Sequence, residues 1–343
     1  MNGEIMSALD QLERERGISK DDLIEAMEAA LLSAYRKHFG TAENVRVQFD
    51  RETGNIKVLS RREVVSQVKD PHKDILVSEA KRKSARYQEG DYVEEEVHSQ
   101  GFGRIAAQTA KQVVMQKLRD IERGMIYEEF SEREGDVVTG QIIRVDRGVV
   151  IVDLGRAEGF ILPQEQARGE RYRERDRIKS YVLEVKKTSK GPQILLSRTH
   201  PGLLKRLFEL EVPEIRDGVV EIKGLAREAG SRSKVAVTAN LPEVDALGAC
   251  VGPRGSRVQV IVQELRGERI DIIQWDDDPQ AFVGNALSPA RVIGVELNRA
   301  DRVARVVVPD NQLSLAIGRD GQNARLAAKL TGWKIDIRSE RNM

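Results

Sequence analysis

Hydrophobic positions along this chain change period three times, and each change marks a change of structure. Ile5, Leu9 and Leu12 keep helical spacing up to Gly17, and Ser19 with Asp22 three residues on reads as a new helix N-cap. The stripe Leu23, Met27, Ala30, Leu31, Ala34 and Tyr35 then predicts an amphipathic helix ending near Gly40. Val45, Val47 and Phe49, followed by Ile56 and Val58, alternate around Thr53-Gly54-Asn55, which predicts a hairpin against that helix. Beyond the acidic stretch Glu94, Glu95 and Glu96, Gly101-Phe102-Gly103 leads into Ala106, Ala110, Val113, Val114, Leu118 and Ile121, a long helix expected to stop at Gly124. This first segment reads as α+β.

From Gly135 the period becomes two. Five strand-like runs follow, at 137–145, 149–154, 158–162, 178–185 and 193–197, with Asp146-Arg147-Gly148, Gly155 and Gly191-Pro192 expected at the turns. Short strands with one longer connection, 163–177, suit a five-stranded OB-type β-barrel. The remaining residues carry an internal repeat: Leu247 to Gly255 aligns with Leu313 to Gly321, and Leu265 to Ile272 aligns with Leu330 to Ile337. Each copy reads helix, two strands, helix, GxxG, helix, strand, and only 275–279 separates the copies, which predicts a rigid pair.

Composition narrows the class. The 343 residues are 40% hydrophobic and 32% charged, enough for packed cores beneath a charged surface. No run has the length of a membrane span, and the start lacks the apolar stretch of a signal peptide, so a cytoplasmic protein with no membrane partner is expected. Cys250 is the only cysteine and the histidines are scattered, which excludes a disulfide framework and a Cys-based zinc cage; no metal and no cofactor is expected. The net charge of +1 argues against a simple polycation. It divides, however, into −3 over 1–130, +3 over 131–199, −1 over 200–276 and +2 over 277–343, which leaves room for local basic faces.

The candidate chemistry lies in the repeat. A GxxG turn between helices exposes backbone N–H groups and lets a phosphate backbone approach, the clamp used by KH domains. With 28 glycines in the chain the motif itself carries no weight. Its recurrence at the same point of two aligned units does. Gly252, Pro253, Arg254, Gly255 and Arg257 form one candidate RNA-binding set, and Gly318, Arg319, Asp320, Gly321, Asn323 and Arg325 the other. Gly252→Asp with Gly318→Asp is then expected to place carboxylates where phosphates sit. In the barrel, Phe160 is a candidate stacking platform, with core burial equally compatible with the alternation, and Arg144, Arg156 and Lys179 are candidate phosphate contacts. The arginines at 168, 171, 173, 175 and 177 alternate with acids and read mainly as a solvated face. In the first segment Arg104, Gln108 and Lys111 share one helix face and Arg36 and Lys37 end the earlier helix. They suit nucleic acid, an acidic partner surface or plain solvation.

Enzyme signatures are absent. Gly101-x-Gly103-x-x-Ala106 imitates a dinucleotide fingerprint, but a helix follows where a second strand is required. Asp276 to Asp278 precedes Pro279 and reads as a helix-entry cap rather than a metal site.

The order of these segments, with Phe102-Gly103-Arg104-Ile105-Ala106-Ala107-Gln108-Thr109-Ala110-Lys111-Gln112-Val113, Gln312 to Gly318 and Gly321 to Ala327, resembles the NusA family of bacterial transcription elongation and termination factors. The resemblance spans the whole chain. It implies an N-terminal RNA polymerase-binding domain at 1–130, a ribosomal S-one type OB-fold at 134–199, and type II KH domains at 200–276 and 277–343. It also implies roles in pausing, termination and antitermination, with RNA polymerase, nascent single-stranded RNA and other antitermination factors as partners. A monomer is expected. The chain stops at Met343, without the acidic C-terminal repeats of the longest members, and is therefore expected to bind RNA without added polymerase. The competing class is a general single-stranded RNA-binding protein of translation or RNA decay. An RNA-processing enzyme is a distant third because no catalytic constellation is visible.

Overall fold

The computed structural model describes residues 7, 9, 10, 13, 14, 19–39, 44–50, 55–97 and 102–342. Ile5, Leu12, Gly17, Gly40, Thr53, Gly54 and Gly101 therefore lie outside the described residues. The chain divides into two compact units, Met1–Arg123 and Gly124–Met343.

In the first unit, α1 (Lys20–Phe39) begins where expected, with the Ser19 hydroxyl accepting from the Asp22 N–H at 3.3 Å. Leu23, Met27, Leu31 and Tyr35 are buried along one face. Strands β1 (Val45–Phe49) and β2 (Ile56–Val65) form the antiparallel hairpin, with Val47 opposite Val58. Three elements escaped the periodicity: β3 (Asp74–Leu76), α2 (Val77–Lys83) and β4 (Tyr92–Glu96). β4 pairs antiparallel with β2 and β3 parallel with it. Only Val93 of β4 is buried, so its apolar signal is a single residue. The acidic run is held as a strand by charge instead: Glu95 pairs with Arg62 and Lys83, and Arg61 lies 3.9 Å over the Tyr92 ring.

Helix α3 (Phe102–Ser131) does not stop at Gly124. A glycine within a helix costs about 1 kcal/mol, and the residues beyond it repay more than that by packing. Ile126, Tyr127 and the fully buried Phe130 join the barrel core of the second unit.

That barrel closes in the order β5 (Val137–Asp146), β6 (Val149–Asp153), β7 (Glu158–Ile161), β9 (Gly191–Ser197), β8 (Arg177–Thr188). Val138, Ile142, Val150, Val152, Ile161, Ile178, Val182, Ile194 and Leu196 fill it. Gly191 and Pro192 belong to β9, opposite Thr188 and Lys187, so this turn sits two residues earlier than its composition suggests.

The repeat becomes two copies of one fold. The first comprises α4 (Pro201–Glu211), α5 (Pro213–Arg216), β10 (Val220–Glu228), β11 (Arg232–Ala239), α6 (Ala246–Val251), α7 (Ser256–Glu264) and β12 (Arg269–Gln274). The second comprises α8 (Pro279–Ala286), β13 (Gly294–Asn298), β14 (Val303–Val308), α9 (Leu313–Ile317), α10 (Gln322–Thr331) and β15 (Lys334–Ser339). In both, the first two strands pair antiparallel and the third joins parallel beside the second. Asp278 caps α8, its carboxylate accepting from the Gln280 N–H at 3.2 Å, as the acidic triplet suggested.

Candidate nucleic-acid interface

The two GxxG turns have nearly the same backbone. Gly252, Arg254 and Gly255 sit at φ +73°, +55° and +79°; Gly318, Asp320 and Gly321 sit at +77°, +52° and +72°. The glycines of each turn do different work. A Cβ on Gly252 would lie 2.7 Å from Cγ of Arg257, and one on Gly318 would lie 2.8 Å from the backbone N of Asn323. The first glycine is thus demanded by the protein's own close packing. A Cβ on Gly255 or Gly321 would meet nothing within 4 Å, so the space beside the second glycine is open to an incoming backbone. Pro253, Arg254, Arg319 and Asp320 are exposed around that space, next to the first turns of α7 and α10. The Gly255 and Gly321 N–H groups are spent within the turns, on the Gly252 and Gly318 carbonyls at 3.0 and 3.1 Å, so an anion there is favoured by the helix dipole and by the other N–H groups of the turn.

Two residues expected as contacts hold the loops from behind. Arg257 Nη1 donates to the Ala249 carbonyl at 2.6 Å and pairs with Glu214 at 2.9 Å. Asn323, five residues after the first glycine in the other copy, is fully buried, and its Nδ2 donates to the Ala316 and Leu287 carbonyls at 3.0 Å each. Both satisfy carbonyls at the end of the helix preceding the turn, which have no intrahelical partner. Burial removes Asn323 from direct contact with any ligand, a correction to its expected role. Arg325 is exposed, but its Nε donates to Glu228 of β10 at 2.7 Å, and Gln322 reaches Glu228 and Ser231 at 2.8 Å each. These bonds tie the second unit to the first. Arg325 and Gln322 hold the Glu228 carboxyl below its ordinary value.

In the barrel, Phe160 lies between the inward-facing Gly159 and Ile161 and points outward, half-buried and apart from the core. Register places it in a row running Arg144, Ile151, Phe160, Leu195 on the outward side of the strands, where Ile151 and Leu195 are themselves buried. Arg144 is exposed on that row. Arg156 stands on the β6–β7 turn, paired with Glu129 at 3.0 Å. Lys179 is not with them: it faces the first KH unit, 3.5 Å from Glu264. Within the first unit of the chain, Arg104, Gln108 and Lys111 are exposed on one side of α3, opposite the buried Phe102, Ala106 and Ala110, and Arg36 and Lys37 are exposed at the end of α1.

Sequence reasoning missed the joints. Arg198 is completely buried between barrel and KH fold: it pairs with Glu170 at 2.5 Å and donates to the Lys179 and Glu264 carbonyls at 2.7 and 2.8 Å. Its charge remains despite burial because Glu170 and Glu264 surround it. Gly230 rests directly on the backbone of Arg168, where a Cβ has no room. Beside this contact a cleft of about 760 Å³ is lined by Arg168, Ser231, Arg319, Asp320, Gln322 and Arg325, so an arginine assigned to a solvated run shares a cleft with the second GxxG turn. No periodic signal marks such partners, because they are far apart in sequence. Among the described residues no group of His, Cys, Asp and Glu has metal-binding geometry. Burial pushes the Cys250 thiol up to about 12, which leaves it inert at neutral pH.

Comparison with known proteins accounts for nearly the whole chain. Family models match as the NusA N-terminal domain over residues 4–124, an S1 RNA binding domain over 131–197, a NusA-like first KH domain over 198–275 and a NusA-like second KH domain over 279–343. The relatives include several that carry the name transcription termination/antitermination protein NusA. That of Halalkalibacterium halodurans is 59% identical over 99% of this chain and 89% of its own length. That of Bacillus subtilis is 57% identical over 99% and 92%, and that of Rickettsia prowazekii 41% identical over 99% and 68%. The solution structure of the N-terminal domain of NusA from B. subtilis is 53% identical over 36% of this chain and 99% of that one, with a TM-score of 0.33.

Proposed function

From the premise that this chain belongs to the NusA family of transcription termination/antitermination proteins, we propose that it binds RNA polymerase and nascent single-stranded RNA to modulate pausing, termination and antitermination. Residues 1–130 serve polymerase, with Arg36, Lys37, Arg104, Gln108 and Lys111 as candidate contacts. The barrel at 134–199 and the KH folds at 200–276 and 277–343 serve RNA. The protein works in the cytoplasm as a monomer, without catalysis or cofactor, and other antitermination factors join the complex.

One observation carries the RNA assignment: two exposed turns of equal backbone geometry, each open beside its second glycine, at equivalent helix junctions of adjacent KH folds. Around them Pro253, Arg254, Gly255, Arg319 and Gly321 meet the phosphates, while Gly252, Arg257, Gly318 and Asn323 hold the turns in shape. Phe160 and Arg144 form a separate stacking and charge surface on the barrel.

The test is dwell time at a hairpin pause in single-round transcription, comparing the full chain with residues 124–343. The fragment starts at 124 because a cut at 134 would remove Phe130 from the barrel core. Lengthening of the pause by the full chain alone is the expected result. If neither protein changes the dwell while both bind RNA, a general RNA-binding protein of translation or decay is the better account.

A further inference from the structure

The third residue of the two GxxG turns occupies the same backbone position with opposite charge: Arg254 at φ +55°, ψ +26° and Asp320 at φ +52°, ψ +28°. Arg254 has no hydrogen bond or ion pair among the described residues. Arg319, the cation of the second turn, lies 3.8 Å from the carboxylate of Asp320, with side chains 95% and 88% exposed. Of the flanking cations, Arg325 is matched by Glu228 and Arg257 by Glu214, whereas Arg168, outside the loop but lining the same cleft as Arg319 and Asp320, has no ion pair among the described residues. Counted over the four residues of each loop alone, the charge is therefore about +1 at the first turn and about zero at the second. The backbone differs in the reverse sense. Pro253 has no N–H to offer, whereas Arg319 at the equivalent place has one.

Building on the reading that single-stranded RNA is the ligand, we propose that Asp320 makes the second turn a clamp of a different kind. The first turn draws the phosphodiester by the free charge of Arg254, and the second holds it through neutral backbone N–H groups, with Asp320 cancelling Arg319. Asp320 is then a specificity-determining residue: it lets the second unit select RNA by fit while suppressing binding to any polyanion.

Equilibrium binding of the full chain to an unstructured RNA oligonucleotide, measured by anisotropy at several salt concentrations, tests this. Asn tolerates the left-handed backbone, so Asp320→Asn and Arg254→Asn change charge without changing the turn. One phosphate contact changes the salt slope by about 0.7, which is roughly a 2.6-fold change in affinity ratio for a fourfold change in salt. Arg254→Asn should flatten the slope by that amount, Asp320→Asn should steepen it and strengthen binding to heparin as well as to RNA, and Arg319→Gln combined with Asp320→Asn, which keeps the loop neutral, should leave it unchanged. Equal losses of slope for Arg254→Asn and for that double variant, with Asp320→Asn neutral, overturn the inequality alone. Absence of RNA binding by the wild-type chain overturns the RNA reading and the inequality together.

Discussion

The two KH folds share strand order, turn geometry and a side chain that ties off the helix before the turn, yet they are secured by different chemistry. In the first fold, Glu268 is buried against Arg227, which chelates it at 2.9 Å through both Nε and Nη2, and it also accepts from the Ser233 hydroxyl and the Gly230 N–H. The residue at the aligned position of the second fold is Trp333, packed on the apolar core. One copy is pinned by a buried ion pair and the other by an aromatic ring. The first fold also shares Arg198 with the barrel, whereas the second meets its neighbour through Arg325 and Gln322 on Glu228 and through Lys234, which donates to the Ser288 carbonyl at 2.8 Å. Duplication thus preserved the topology and the turn, while the attachments were rebuilt to suit what each copy packs against.

The largest effect that would sharpen this contrast is at Glu268. Glu268→Ala leaves the Arg227 guanidinium buried and unpaired, which costs about 3–5 kcal/mol. Denaturant unfolding monitored by hydrogen exchange should show β10 and β12 losing protection before β13 and β15. Equal loss in both folds would mean that they unfold as one cooperative body and that the pinning is not local.

Acid should separate the folds in the same direction. Burial pushes the Glu268 carboxyl up, but Arg227, Ser233 and the Gly230 N–H together hold it below its ordinary value of 4.5. A lowered folded-state value means the stabilisation is fully present above pH 4.5 and is lost as pH falls through the lowered value. Exchange protection in the first fold should therefore fall more steeply on acidification than in the second. Glu268→Gln should remove most of that difference.

A smaller contrast lies in the turns. Gly318→Ala meets backbone atoms of Asn323, whereas Gly252→Ala meets the side-chain stem of Arg257, which can shift only by straining its bonds to Ala249 and Glu214; both changes should be costly and the backbone clash at Gly318 the more so. Gly255→Ala and Gly321→Ala meet no atoms and should cost only the left-handed backbone, about 1–2 kcal/mol each. Thermal unfolding of the four variants should rank Gly318→Ala lowest and the second-glycine pair highest. The pair Gly252→Asp with Gly318→Asp is consequently a poor probe of charge, because it distorts both turns.

Much of this was legible in the sequence, for identifiable reasons. The hairpin, the barrel strands and both KH copies announce themselves because their apolar residues alternate or repeat at fixed spacing. β4 did not, since it buries Val93 alone and is held by ion pairs to Arg62 and Lys83. The end of α3 was misplaced because Gly124 is a local signal, overruled by burial of Phe130. In the candidate site the GxxG turns were visible as a repeat, but the division of labour within each turn was not. Whether Arg257 and Asn323 face a ligand or the protein depends on which carbonyls lie behind them.

The sequence by itself determined family, element order and the existence of two clamps, because these rest on local periodicity and on a repeat written into the chain. Tertiary structure alone decided that Phe160 faces outward, that Lys179 serves a joint, that Arg198 is buried and that Asp320 stands against Arg319 where Arg254 stands free. Those outcomes depend on distances between residues far apart in the chain and on which side of a strand or turn meets another element, and neither is encoded in the order of neighbours.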